Sequence, residues 1–296
     1  MTNKKGTGLP LKTRFFNVFR LAFIFYPLEK LLRYLIVDCK LEFLRKLIPL
    51  PQLYKPGTFR ISEKDGVQFY LDLHQSVDHF IYWLYHEKSY NRLLELASKA
   101  NIIFDVGANV GSTALGMAKV NPQAVIHAFE PHQGNYAKAL KNLSMNNFSN
   151  VFFHPFGLGQ KTEKKKLYEV MDENSGMNRI LNQDADFPFT EIEIKTLDDF
   201  ISESGIARID LIKIDVEGFE MYVLYGAKNA LRSFPVLFVE LDDNNLRLHG
   251  FNASMMIKFL KDAGYNRFYR ADLNSPVNEE TNFTNCHFDL IAEKIS

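Results

Sequence analysis

The sequence predicts an α/β protein built on an open, mostly parallel sheet with helices on both faces. Three observations carry this. The apolar run from Ile102 to Phe104 ends in an acid, Asp105, and is followed by a Gly-containing turn and a helix-compatible stretch, Ser112 to Val120. A second apolar run, Ala124 to Phe129, ends in a second acid, Glu130. Further runs at 151–154, 209–214 and 236–241 mark strands of the same kind. Strand, loop, helix, strand is the unit of a parallel sheet, and in an open sheet the strand tips border the ligand crevice.

The N-terminal segment, residues 1–55, reads as a basic, apolar helical extension. Residues 1–50 hold ten Lys or Arg against three acids (Glu29, Asp38 and Glu42), a net of +7 in a chain whose formal charge is zero. Residues 12–48 predict one or two helices broken near Pro27. Such a segment fits an anionic membrane surface. It equally fits a cap on the catalytic domain or a dimer contact, and this second reading is preferred because apolar helix faces usually find protein partners. Leu21 to Leu28 falls well below the roughly 18 apolar residues that a spanning helix needs.

A domain over 56–296 follows, with its core at 101–293. Phe59 to Ser62 and Val67 to Leu73 predict a hairpin around Lys64-Asp65-Gly66. Helices are predicted over Asp78 to Tyr85 and Ser89 to Ala100. After the strand at Ala124 a helix covers Gly134 to Met145, and the third strand is Val151 to His154. Lys165 to Val170 and Glu191 to Thr196 predict an inserted hairpin with a loop at 172–188. Ile209 to Ile214 and Val236 to Leu241 are the fourth and fifth core strands. A helix at Ala253 to Ala263 and a last strand pair, Tyr265 to Arg270 and His287 to Glu293, complete the sheet, with an antiparallel edge strand.

The tip carboxylates define the ligand. Dinucleotide folds place a Gly-rich turn after the first strand and an acid about 20 residues on, which holds the ribose. Glu130 fits that ribose role. Asp105 would repel a pyrophosphate and instead suits positive charge. S-adenosylmethionine offers a ribose, a sulfonium and an ammonium, and no phosphate. Gly107, Ala108, Asn109 and Gly111 shape the loop, with the glycines permitting close approach and positive φ. Phe156 and Gly157, after the third strand, are expected to border the adenine. An NAD-dependent oxidoreductase is the alternative enzyme, and a non-catalytic cofactor-binding partner protein is the alternative of another class.

The strings FDVGANVGS (104–112), FEP (129–131), DLIKIDVEGFE (210–220) and LFVEL (237–241) resemble the FkbM family of S-adenosylmethionine-dependent methyltransferases, over roughly residues 85 to 292. The resemblance implies a class I methyltransferase fold with a mostly parallel seven-stranded sheet, and O-methyl transfer, often to a sugar hydroxyl. The family often carries a Tyr-Glu pair ahead of the first strand. Here His86 separates Tyr85 from Glu87.

Methyl transfer from a sulfonium needs an aligned acceptor and, for a hydroxyl, a base. Asp215, at the tip of the fourth strand, is the leading catalytic or acceptor-orienting candidate. Glu217 is the second, and His249, on the loop after the fifth strand, is the histidine candidate. Glu220 is expected to serve a helix N-terminus. Lys213 is expected to pair with a nearby acid such as Glu240. Asp215 with Asp242, Asp243 and Asn244 loosely resembles an oxygen set for Mg²⁺, an ion that is possible but not favoured.

Other features bound the function. The zero net charge gives no electrostatic case for nucleic acid. Two cysteines, Cys39 and Cys286, form no metal or disulfide pattern, which fits a cytoplasmic setting, and the basic N-terminal segment extends that expectation to the inner face of the membrane. No Asn-Pro-Pro-Tyr follows the fourth strand, which argues against adenine N-methylation. No cysteine lies near a strand tip, so thiolate attack on a pyrimidine is excluded. A small-molecule or glycan hydroxyl remains as the acceptor.

Overall fold

In a computed structural model of the chain, residues 11–84, 88–172, 175–181, 185–278 and 281–295 are described. Tyr85, His86 and Glu87 lie outside them. The chain divides into two compact units, Met1–Lys64 with Tyr70–Tyr85, and Asp65–Phe69 with His86–Ser296.

The first unit begins with α1 (Leu11–Ala22) and α2 (Tyr26–Val37). Pro27 sits in the first turn of α2, where its missing N–H removes no helical bond, so the break falls at a helix start. Short 3₁₀ segments at Glu42–Leu47 and Pro51–Leu53 lead to a hairpin, β1 (Phe59–Lys64) and β2 (Val67–Asp72), and then to α3 (Ser76–Tyr82). This last helix begins two residues before the predicted start at Asp78. The inward face of α2 carries Leu32, Ile36 and one charge, Glu29, all buried. The Glu29 carboxylate accepts two bonds from Arg60, at 2.8 and 3.1 Å, and one from the Tyr82 hydroxyl at 2.8 Å. A buried carboxylate is tolerated when it is paired in this way. Arg33, on the same helix, donates to Tyr82 O and Ser62 Oγ, both at 2.9 Å.

The second unit runs α4 (Lys88–Ala97), β3 (Ile102–Val106), α5 (Ser112–Val120), β4 (Val125–Phe129), α6 (Gln133–Ser144), β5 (Val151–His154) and β6 (Gly157–Leu158). An insertion follows with β7 (Glu163–Asp172), β8 (Ser175–Ile180) and β9 (Phe189–Lys195). The core resumes with α7 (Leu197–Ser204), β10 (Leu211–Ile214), α8 (Glu220–Tyr225), β11 (Val236–Asp242), α9 (Asp243–Leu248), α10 (Ala253–Asp262), β12 (Arg267–Arg270) and β13 (His287–Glu293).

Seven strands form the main sheet in the order β12-β13-β11-β10-β3-β4-β5. The strands from β11 to β5 are parallel, and β13 runs antiparallel to both its neighbours. This is the mostly parallel seven-stranded class I methyltransferase sheet expected from the resemblance. From β3 the chain continues outward through β4 and β5, and from β10 it continues the other way through β11. The switch point therefore lies between β3 and β10, and the ligand crevice of such a sheet opens at their carboxyl ends.

Alternation along β3 separates the two faces. Phe104 joins a core that includes Phe200 of α7, Met221 and Leu224 of α8, Leu246 of α9 and Leu260 of α10. Asp105 faces the other way and accepts a hydrogen bond from Thr113 of α5.

The insertion differs from the predicted hairpin. It is a four-stranded sheet in the order β6-β9-β7-β8. The extra strand, β8, lies in what the sequence suggested was a loop. Ser-Gly-Met-Asn-Arg-Ile shows no apolar alternation, so its strand character comes from pairing with β7 alone.

Candidate active site

The loop after β3 is closed by its own amides. Gly107 N and Ala108 N donate to Phe129 O at 3.1 and 3.0 Å, and Gly111 N donates to Ala108 O at 2.8 Å. Asn109 N donates to Glu130 Oε2 at 2.9 Å. Asn109 takes a left-handed conformation, which Asn tolerates better than most side chains. Gly107 has φ +82°, and a Cβ there would stand 1.9 Å from Asp215 O. Only glycine lets the tips of β3 and β10 approach so closely.

Glu130 is buried at the tip of β4. Its second oxygen accepts from His132 N at 2.9 Å. Burial raises its carboxyl to about 7, against the two amides and the Asn135 side chain, which favour the ionised form. Its neighbour His132 caps α6, its ring accepting from Asn135 N at 3.3 Å. Phe156 packs against Phe129 and His154 with centroids at 5.7 and 5.6 Å, and Lys195 Nζ lies 5.1 Å from its ring centre. Gly157 is buried in β6, paired with Ile194.

Asp105 is fully buried, and the positive charge it meets belongs to the chain. Lys213 Nζ lies 3.2 Å from Asp105 Oδ1 and 3.4 Å from Asp215 Oδ2, and donates to Gly107 O at 3.0 Å. Burial works against this ammonium, but Asp105 and Asp215 outweigh it and hold its pKa above the ordinary value. The pairing differs from the expected one with Glu240, and register gives the reason. Lys213 stands beside Asp105 on β3 and beside Phe238 on β11. Glu240 is two residues further on, level with Asp215.

Three carboxylates with three cations gather at the tips of β10 and β11. Asp215 has Lys213, and its side chain keeps 43% exposure. Glu217 has Arg179 of β8 at 3.4 Å and accepts from Asn245 Nδ2 at 3.2 Å. Glu240 has His287 of β13 at 3.0 Å. Burial first, and Asp215 second, push the carboxyls of Glu217 and Glu240 up. The Glu240 carboxylate in turn raises the His287 imidazole, which is 65% exposed and so readily hydrated when charged. Glu217 itself has φ +56°, a strained backbone for a residue with a side chain.

Glu220 is buried at the start of α8, accepting from Val216 N and Gly218 N at 3.2 and 3.0 Å. That is a helix-terminus role. His249 is also buried, packed edge-on against Phe219 and Tyr222 at 5.7 Å each. Burial lowers its pKa. The segment after β11 is the short helix α9 rather than an open acidic loop. Asp242 caps it by accepting from Asn244 N and Asn245 N. Asp243 accepts from Ala253 N and pairs with Arg247. Among the described residues, no group of three His, Cys, Asp or Glu side chains is arranged to hold a metal.

Sequence reasoning missed Arg179, Asn245, Thr113 and His287. The Glu217 partners come from an unpredicted strand and an unpredicted helix, and His287 reaches Glu240 through antiparallel pairing across 47 residues. None has a local signal.

Residues 105–267 match the profile of the methyltransferase FkbM domain. The chain belongs to the FkbM methyltransferase family. Among curated relatives, Methyltransferase 1 of Beauveria bassiana is 33% identical over 144 residues, covering 43% of this chain and 58% of the relative. The 2-O-methyltransferase NoeI of Sinorhizobium fredii is 28% identical over 173 residues, covering 54% and 71%. The hexuronic acid methyltransferase AglP of Haloferax volcanii is 26% identical over 151 residues, covering 50% and 59%. The match thus spans less than two thirds of the length of the Beauveria and Haloferax relatives. The FkbM profile begins at Asp105 and takes in both strand tips of the crevice and the whole insertion.

Proposed function

We propose that this chain transfers the methyl group of S-adenosylmethionine to a hydroxyl of a sugar, glycan or other small molecule. One observation carries the choice of cofactor. The amides of Gly107, Ala108, Asn109 and Gly111 all bond within the protein, so these four are not offered to a pyrophosphate. Asp215 at the β10 tip adds a carboxylate beside the crevice, which disfavours the phosphates of a dinucleotide. The donor set suits a ribose at Glu130 and a cationic methionine end near Asp215. Phe156 and Gly157 border the adenine. Asp105 acts through Lys213 and Thr113, fixing the loop and the tip of β10.

The cofactor supplies a methyl group already activated on a sulfonium. The chain's residues must align the acceptor and remove its proton. Transfer to the acceptor oxygen would break the C–S bond and leave its electron pair on sulfur, so the chain need not activate a leaving group. The hydroxyl proton passes to Asp215, whose exposure lets an acceptor reach it. Glu217, restrained by Arg179 and Asn245, orients the acceptor. Names of relatives such as 2-O-methyltransferase and hexuronic acid methyltransferase support an oxygen acceptor on a sugar. With Asp242 capping α9 and Asp243 held by Ala253 N and Arg247, transfer is expected to proceed in EDTA.

The test is transfer of radiolabelled methyl to a panel of glycans, lipid-linked sugars and hydroxylated small molecules, alongside calorimetry with S-adenosylhomocysteine. Asp215→Asn should bind S-adenosylhomocysteine as the parent does and lose roughly 10²-fold or more in transfer. Full transfer by the variant removes Asp215 from the reaction. Cofactor binding without transfer to any hydroxyl favours a non-catalytic partner.

A further inference from the structure

The first unit presents an apolar surface to solvent. On α2, Glu29, Leu32 and Ile36 point into the unit, as described above. Beginning at the flank of that face, Leu28, Leu31 and Tyr34 follow one another at three-residue spacing, which places them in one stripe. Leu31 is 51% exposed and Tyr34 55%. Phe25, just before the helix, is 65% exposed, and Leu21 of α1 is exposed as well. A helix that covers a core on one side ordinarily turns charge to water on the other. Here water meets leucine and aromatic rings.

The segment that bears this face is also basic. Lys30, Lys40 and Lys46 are exposed. Of the three acids in residues 1–50, Glu29 is buried against Arg60 and Glu42 pairs with Arg45. Asp38 is the third acid of a stretch whose net charge is +7. Among the described residues, no helix is long and apolar enough to cross a membrane.

We propose that this face docks on an anionic lipid surface, with α2 in the headgroup plane, Phe25, Leu28 and Leu31 in the acyl boundary and the lysines on lipid phosphates. Exposed aromatic and leucine side chains beside lysines are the composition of an interfacial helix. The same charge argues against a second copy. A two-fold contact would set the patch against itself, and like charges facing each other across an interface are unfavourable.

The test uses the full-length protein and vesicles of phosphatidylcholine alone or with phosphatidylglycerol. The protein should sediment with anionic vesicles at low salt, and about tenfold or more weaker at high salt or with neutral vesicles. Phe25→Glu with Leu31→Glu, at two exposed positions, should lower anionic-vesicle affinity about tenfold or more while leaving thermal unfolding unchanged. Lys30→Glu with Lys40→Glu should do the same through charge alone. Failure of the parent protein to sediment with anionic vesicles at low salt overturns the proposal. So does equal sedimentation of the parent and both double variants. A dimer by light scattering that Phe25→Glu with Leu31→Glu converts to monomer assigns the face to a second copy instead. None of these readouts depends on the methyl acceptor or on the cofactor.

Discussion

Binding of the cofactor product should depend on pH through one buried carboxyl. Glu130 holds Asn109 N and His132 N, each at 2.9 Å, yet burial lifts it to about 7. The ionised carboxylate is an acceptor only and keeps sites for ribose hydroxyls. Protonation turns one oxygen into a donor and removes such a site. At pH 6 roughly a tenth of the population is ionised, and at pH 8 roughly nine tenths. Affinity for S-adenosylhomocysteine should therefore rise roughly tenfold between pH 6 and 8, about 1.4 kcal/mol. Glu130→Gln should flatten this slope. It should also weaken binding by about 1–3 kcal/mol, because its NH₂ faces an N–H that loses its acceptor. Calorimetry at pH 6, 7 and 8 in two buffers of different ionisation heat measures both the affinity and the proton release near pH 7. Without ligand the sign reverses. A raised carboxyl pKa favours the folded protein below about 4.5, and that contribution is lost as pH rises through about 7. A flat affinity in the parent protein, or a slope that survives Glu130→Gln, refutes the assignment.

Other variants probe the charges and the close approach beneath the crevice. Lys213→Met leaves Asp105 buried beside no ammonium and should cost about 3–5 kcal/mol in urea unfolding. Adding Asp105→Asn should recover part of that loss, and additive losses would show the pair to be uncoupled. Gly107→Ala drives a methyl group to 1.9 Å from Asp215 O at φ +82° and should cost at least about 2 kcal/mol, read as a lowered unfolding midpoint. His287 should titrate at about 9 by NMR and fall toward about 6.5 in Glu240→Gln; an unmoved titration would break the pair.

The strand tips were legible because burial and chemistry meet there in one short string. Ile102 to Asp105 and Ala124 to Glu130 each show an apolar run ending in an acid, and both lie at parallel strand ends as read. What the sequence hid depends on register and on distant pairing. Lys213 finds Asp105 because the two strands align those residues, and nothing within either strand states that alignment. Glu240 meets His287 because β13 returns antiparallel. The polar Ser175–Ile180 stretch becomes a strand by borrowing β7 as its template. The residues after Leu241 suggested an acidic loop, since Asp and Asn favour turns and helix caps alike. In the first unit nothing near Glu29 in the chain announces that it is buried. Its burial rests on Arg60 and Tyr82, 31 and 53 residues away.

The way the insertion is attached has a consequence for how such enzymes diversify. The chain departs through β6 and returns through β9, and these two strands are hydrogen-bonded side by side, Gly157 beside Ile194 and Leu158 beside Lys195. Exit and re-entry are thus fastened together at the edge of the catalytic scaffold, like the two pins of a plug. Everything between them can lengthen, shorten or be exchanged without altering the register of β3, β4 or β10. From the outermost strand of this exchangeable piece, Arg179 reaches Glu217, two residues from Asp215, the proposed proton acceptor. If Glu217 orients the acceptor as proposed, a part of the chain outside the main sheet bears on acceptor preference, and grafting the 159–188 segment between relatives should move it.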